Sequence, residues 1–156
     1  MKIEAGSKAP DFTLEGNGGA SIALSSFKGR KVVLFFYPKD MTPGCTTEAR
    51  DFSAMADDFA AAGAAVIGLS KDSVARHDKF VAKHGLKIPL ASDEAGKTLE
   101  DYGVWVEKKL YGRTYMGIQR SSCLIDGDGM VARVWPKVRV KGHADEVLQA
   151  VKELSG

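Results

Sequence analysis

Cys45 is the residue in this chain with the most chemistry to offer. It stands in the stretch Val32-Val33-Leu34-Phe35-Phe36-Tyr37-Pro38-Lys39-Asp40-Met41-Thr42-Pro43-Gly44-Cys45-Thr46-Thr47-Glu48. The apolar run predicts a buried strand; turn residues follow, then the thiol, then a helical pattern. A thiol at the start of a helix, just past the carboxyl end of a strand, is placed to react rather than merely to pack. The thiolate is the nucleophile, and a free cysteine, with a pKa of about 8.5, is mostly neutral near pH 7. Free backbone N–H groups and the helix dipole at this position favour the anion. Nucleophilic or redox chemistry is what such a group can do.

The elements that must position Cys45 follow from pattern. Phe12-Thr13-Leu14 and Ser21-Ile22-Ala23-Leu24 alternate, and Glu15-Gly16-Asn17-Gly18-Gly19 between them reads as a hairpin turn. Residues 31–37 predict a central strand covered on both faces. Residues 44–62 predict a helix, with Phe52, Met55 and Phe59 at helical spacing and Gly63 as its stop. Ala64–Ser70 predicts a second buried strand. Ser73–His84 predicts a helix capped by Asp72 or Ser73, with Val74, Phe80 and Val81 inward and Gly85 at its end. Lys87–Ala91 reads as a short strand, Lys97–Tyr102 as a short helix, and Gly103–Gly117 as a polar and aromatic loop. Strands Ile118–Ile125 and Met130–Trp135 pair across Asp126-Gly127-Asp128-Gly129, and Ala144–Leu154 closes the chain as a helix. Alternating strands and helices argue one α/β domain over residues 1–156, a three-layer α/β/α sandwich with an N-terminal hairpin and a mixed central sheet.

Bulk properties narrow the function. At 156 residues the chain suits one domain with a sizeable core. A net charge of +2 with no basic stripe gives no case for nucleic acid. The longest apolar run, Val32–Tyr37, is far short of a membrane span, and the N-terminus carries no apolar signal segment, so no membrane partner is expected. Two cysteines make no disulfide framework, which points to a reducing, cytoplasmic setting.

The spacing Pro38-x-x-x-Thr42-x-x-Cys45 resembles the active-site signature of the peroxiredoxins, and Phe35–Glu48 is similar to the bacterioferritin-comigratory or peroxiredoxin Q branch. The likeness continues through Gly112–Arg120, Leu124-Ile125-Asp126, Trp135-Pro136-Lys137-Val138 and Gly142-His143-Ala144, nearly the whole chain. It implies a thioredoxin-like fold and reduction of hydrogen peroxide and organic hydroperoxides through a Cys45 sulfenic acid. It also implies that Arg120, on the predicted strand Ile118–Ile125, stabilises the thiolate and orients the peroxide. Thr42 supplies a hydroxyl that accepts from the peroxide, and Pro38 fixes a turn that shields the thiolate. Gly44 and Glu48 are supporting residues. Glu48 suits the helix dipole and a capping interaction; a carboxylate so close to Cys45 would oppose its ionisation, so a base role is not expected.

The chain departs from that branch in one respect. The resolving cysteine, which often lies five residues after the first, is Arg50 here, and Ser73–His84 has no cysteine. A one-cysteine mechanism follows, with thioredoxin, glutaredoxin or a small thiol attacking the sulfenic acid. A peroxide-sensing relay that passes oxidation to a partner thiol is the alternative. Cys123, by strand alternation, points away from the face that Arg120 uses. Arg50 reads as a solvated helix residue or a second cation; a phosphatase loop is disfavoured because Cys45 to Arg50 is C-x4-R without glycines. Asp126-Gly127-Asp128-Gly129 lacks the later ligands of a calcium loop. His77, His84 and His143 are scattered, with His77 and His84 on a polar helix face, so neither metal nor cofactor is expected. Trp105 and Tyr111 either shape a peroxide entry or cap the core. A monomer is expected, with a weak dimer as the alternative.

Overall fold

The computed structural model describes residues 1–154. Its elements run β1 (Thr13–Gly16), β2 (Ser21–Ala23), β3 (Lys31–Phe36), α1 (Pro43–Ala54), α2 (Ala56–Ala61), β4 (Ala64–Ser70) and α3 (Val74–His84). Then come β5 (Leu90–Ser92), α4 (Lys97–Asp101), β6 (Trp105–Leu110), β7 (Arg113–Ile118), β8 (Ser121–Ile125), β9 (Val131–Trp135) and α5 (His143–Glu153). A seven-stranded sheet has the order β2-β1-β5-β4-β3-β8-β9. Strands β3, β4 and β5 are parallel, while β8, β9, β1 and β2 join antiparallel, so the sheet is mixed.

Strand β3 runs through the middle, and its alternation divides the core. Val33, Phe35 and Tyr37 face one side, packed with residues of α1, α2, α3 and α5. Val32, Leu34 and Phe36 face the other, with Leu99 and Tyr102 from α4 and its end and Ile3, Phe12 and Leu24 from the N-terminal segment. Each face is thus covered, which is why the strand needs no polar side. Phe35 stacks on Phe52 of α1 with ring centroids 4.7 Å apart, pinning α1 to the sheet.

Several expectations are corrected. The helix expected over 44–62 is two helices: Met55, at φ −100° and ψ 8°, breaks the run before α2. The strand expected at 87–91 is confined to Leu90–Ser92, because Lys87 N–H is taken by Ser53 Oγ at 2.7 Å rather than by a sheet partner. The loop expected over 103–117 is the β6–β7 hairpin, a two-stranded sheet of its own. Tyr111, 96% exposed at φ 51°, forms its tip, so it does not cap the core. Strand Ile118–Ile125 is interrupted: β7 ends at Ile118 and β8 starts at Ser121, leaving Gln119 and Arg120 between them. Ser73 does cap α3, accepting from Arg76 N–H at 3.2 Å, and Gly85 closes it at φ 58°.

Candidate active site

The site is built where β3 gives way to α1. Pro43 is the first helical residue, Gly44 the second and Cys45 the third. Proline suits the first position because its missing N–H would have no helical partner there. Thr42 is the cap residue, but its side chain does not cap; its hydroxyl donates to the Lys39 carbonyl at 2.8 Å. Neither a capping side chain nor an acidic residue of the first turn competes for the dipole at Cys45. With its hydrogen held by Lys39, the Thr42 oxygen keeps lone pairs for an incoming donor.

Arg120 reaches the same place from the break between β7 and β8. Its Nη2 donates to Cys45 Sγ at 3.2 Å and its Nη1 to Glu48 Oε1 at 2.7 Å. The break serves this reach: the Arg120 carbonyl accepts from Val138 N–H at 3.0 Å, and Gln119 N–H bonds the Val104 carbonyl at 2.8 Å. Gly44 makes room, since a Cβ there would stand 3.3 Å from Arg120 Nη2. Cys45 is 1% exposed and Glu48 equally buried. Burial pulls the Arg120 guanidinium down, but Glu48 and Cys45 outweigh it, and the net shift is upward. Burial pushes Glu48 up to about 7, with Arg120 opposing. Its Oε2 is buried with no hydrogen-bond partner among the described residues, which makes the charged form costly. The capping interaction expected of Glu48 is replaced by this ion pair.

The residues expected at the site therefore fall into groups. Cys45, Arg120, Glu48 and Gly44 converge. Thr42 lies at the mouth of the same helix. Pro38 is exposed at the end of β3, outside the hydrogen-bonded cluster. Arg50 is exposed and lines a groove of about 520 Å³ with Thr46, Thr47, His84 and Lys87, as a solvated helix residue would.

Three residues were not foreseen. Lys108 of β6 is pulled down by burial and by the neighbouring Arg120 charge, with Cys45 acting the other way, so the hairpin brings a cation to the site. Asp40 and His77 form a buried pair 2.6 Å apart beneath the loop that carries Thr42. His77 was expected on a polar face and is instead 0% exposed. A buried-looking Asp between Lys39 and Met41 left no pattern to read; only tertiary contact reveals it.

The AhpC/TSA family matches residues 5–134. Peroxiredoxin Bcp of Bacillus subtilis is 50% identical over 155 residues, covering 99% of each chain. A Xanthomonas campestris bacterioferritin comigratory protein, solved in work on its alkyl peroxide reduction activity, superposes with a TM-score of 0.89. It is 43% identical, with 96% of this chain and 98% of that one covered. A PrxQ cysteine-to-serine variant from Xylella fastidiosa gives a TM-score of 0.93 at 36% identity, covering 97% of each chain.

Proposed function

This chain belongs to the AhpC/TSA family, as a thioredoxin-fold peroxiredoxin and hence a thiol-dependent peroxidase, and on that premise we propose how its residues share the reaction. Cys45 is the nucleophile. Its thiolate attacks the terminal oxygen of a hydroperoxide; an S–O bond forms, the O–O bond breaks, and the second oxygen leaves as alkoxide or hydroxide and takes a proton. The products are a Cys45 sulfenic acid and an alcohol or water. Hydrogen peroxide and organic hydroperoxides are the substrates, the latter in keeping with the alkyl peroxide reduction of the Xanthomonas relative.

Arg120 supports Cys45 as thiolate and steadies charge as it moves from sulfur to the leaving oxygen, which is where binding lowers a barrier. The observation that carries this assignment is the pair of bonds from one guanidinium to Cys45 and Glu48. Glu48 aims Arg120, Gly44 admits it, and Thr42 accepts a hydrogen bond from the peroxide. Pro38 holds the turn at the rim; its exposure gives no support to a shielding role.

An external thiol completes the cycle. It attacks the sulfenic sulfur, releasing water and leaving a mixed disulfide, and a second thiol restores Cys45. Support comes from position 50 being arginine, from α3 lacking cysteine, and from Cys123 lying in the core on the other side of the sheet. Peroxiredoxins use a thiol reductant such as thioredoxin; for this chain we assign thioredoxin, glutaredoxin or a small thiol, a monomer, and a cytoplasmic setting. Among the described residues both cysteines are free and no helix is long and apolar enough to cross a membrane. The relay reading is not favoured, since the relatives carry the name peroxiredoxin. Mass spectrometry of Cys45 after one equivalent of peroxide, with and without thiol, tests the cycle. Sulfenic acid alone and mixed disulfide with thiol are expected. A Cys45–Cys123 disulfide would overturn the one-cysteine scheme.

A further inference from the structure

A second polar cluster lies beneath the active-site loop, and nothing in the reaction above uses it. Asp40 turns inward, 1% exposed, from between the exposed Lys39 and Met41. Every polar atom of Asp40 is engaged. Its N–H donates to Asp72 Oδ2 at 2.8 Å, and its carbonyl accepts from Arg76 Nη2 at 3.2 Å. Its Oδ1 accepts from the Tyr37 hydroxyl at 2.6 Å, and its Oδ2 lies 2.6 Å from His77 Nδ1. Asp72 also accepts from Arg76 Nε at 2.9 Å and Ser70 Oγ at 2.8 Å. One loop residue thereby ties the end of β3 to β4, α3 and β5.

The hydrogens can be counted. His77 Nε2 is 3.0 Å from the Ala91 carbonyl, which can only accept, so Nε2 carries a hydrogen. Nδ1 faces a carboxyl oxygen, and two lone pairs at 2.6 Å in the interior would repel. One proton therefore lies between Nδ1 and Oδ2. Imidazole is the stronger base of the two, so Nδ1 holds it, and the pair is neutral as a whole, which burial tolerates.

We propose that Asp40 and His77 are positioning residues of the peroxidase, their shared proton clamping the loop that presents Thr42 to Cys45. Neither touches the reacting atoms; both act through the backbone. Met41, between Asp40 and Thr42, has φ 69°, a left-handed conformation that methionine keeps only when its surroundings impose it. On its other side Thr42 bonds back to Lys39. Once Asp40 is released, Met41 relaxes and Thr42 moves with it. This inference rests on the assignment of Cys45 and Thr42 to the reacting centre.

The test uses Asp40→Ala, Asp40→Asn and the wild-type chain, with rates normalised to titratable Cys45 thiol. Asn offers an amide hydrogen to His77 Nδ1 and an oxygen to Tyr37, so it keeps the clamp without a shared proton. Misplacement of about 1 Å costs up to about 100-fold, so Asp40→Ala lowers the rate constant with peroxide by about tenfold to 100-fold. Reduction of already oxidised enzyme by thiol stays unchanged, and Asp40→Asn recovers most of the peroxide rate. Nitrogen NMR of wild type shows hydrogens on both His77 ring nitrogens, and Asp40→Asn shows one on Nε2 alone. The proposal falls if Asp40→Ala reacts as fast as wild type, if Asp40→Asn is as slow as Asp40→Ala, or if wild-type His77 carries one hydrogen. Should Asp40→Ala not fold, the asparagine variant and the nitrogen signals still decide. Should wild type itself be inert toward peroxide, the reading of the site has failed rather than the clamp, and the NMR arm stands apart.

Discussion

The two cysteines are buried alike and surrounded differently. Cys45 is 1% exposed and Cys123 0%. Cys45 sits in the first turn of α1 with a guanidinium nitrogen at 3.2 Å. Cys123 sits in mid-strand, paired in register with Leu34 and Val134, in the cluster that holds Val32, Leu34 and Phe36. Burial pushes the Cys123 thiol far above the ordinary range, and a backbone hydrogen bond from Leu34 opposes it only in part. Exposure alone therefore does not mark a reactive sulfur. What counts is whether the interior around it offers a charged donor or only carbon and neutral backbone.

The sharpest way to break that contrast is to exchange each sulfur for oxygen. Cys45→Ser should abolish peroxide turnover in a thioredoxin-coupled assay. Any turnover above background would move the chemistry elsewhere. Removing the cation comes next: loss of one preorganised donor costs about 10²–10³ in rate, so Arg120→Met should slow sulfenic acid formation by that order while Cys45 remains present. A loss below about tenfold would mean that the helix terminus does the work unaided.

Smaller effects sharpen the contrast. Glu48→Gln should stay within about tenfold of the wild-type peroxide rate, because a base would be worth about 10²–10⁴. Stability is the better readout of Glu48. Its folded pKa, about 7, lies above the ordinary 4.5, so the native state holds the proton more tightly. The contribution of Glu48 to stability is then greatest below pH 4.5 and falls as pH rises toward 7, by a few kcal/mol on the rule of about 1.4 kcal/mol for each unit of pKa difference. In denaturant titrations at several pH values, the stability of wild type minus that of Glu48→Gln should decline as pH rises from 4.5 toward 7. His143, pulled down by burial to about 4, works in the opposite sense: its contribution is full above pH 6.5 and fades as pH falls toward 4. The difference between the two proteins isolates Glu48 because both retain His143. The smallest catalytic effect is expected of Cys123→Ser, which should keep most of the peroxidase rate. It should instead lose about 1–3 kcal/mol of stability for a hydroxyl buried among carbon, read from its thermal midpoint.

What could be read without coordinates was local. Strand β4 is found at Ala64–Ser70, and the glycines at 63 and 85 stop their helices, because apolar runs and left-handed glycines act on their own neighbours. The β6–β7 hairpin was missed because Glu107-Lys108-Lys109 is polar on both faces and carries no alternation. The break at Met55 has no glycine or proline to announce it. At the site, Cys45 was legible from its place after a strand, and Arg120 from resemblance. Their contact depends on a two-residue interruption between β7 and β8 that strand periodicity hides. His77 misled for a related reason. Among Arg76, Asp78 and Lys79 it reads as solvated, and its partner Asp40 lies 37 residues away in sequence.

The depth of the Cys45 sulfur also sets a timetable. At 1% exposure it can meet a peroxide little larger than water, but a peptide or protein thiol needs more room. The two halves of the cycle are thus timed by different clocks. Oxidation keeps pace with peroxide supply. Recovery asks a bulkier thiol to reach the same buried sulfur, so it is the half in which access weighs more.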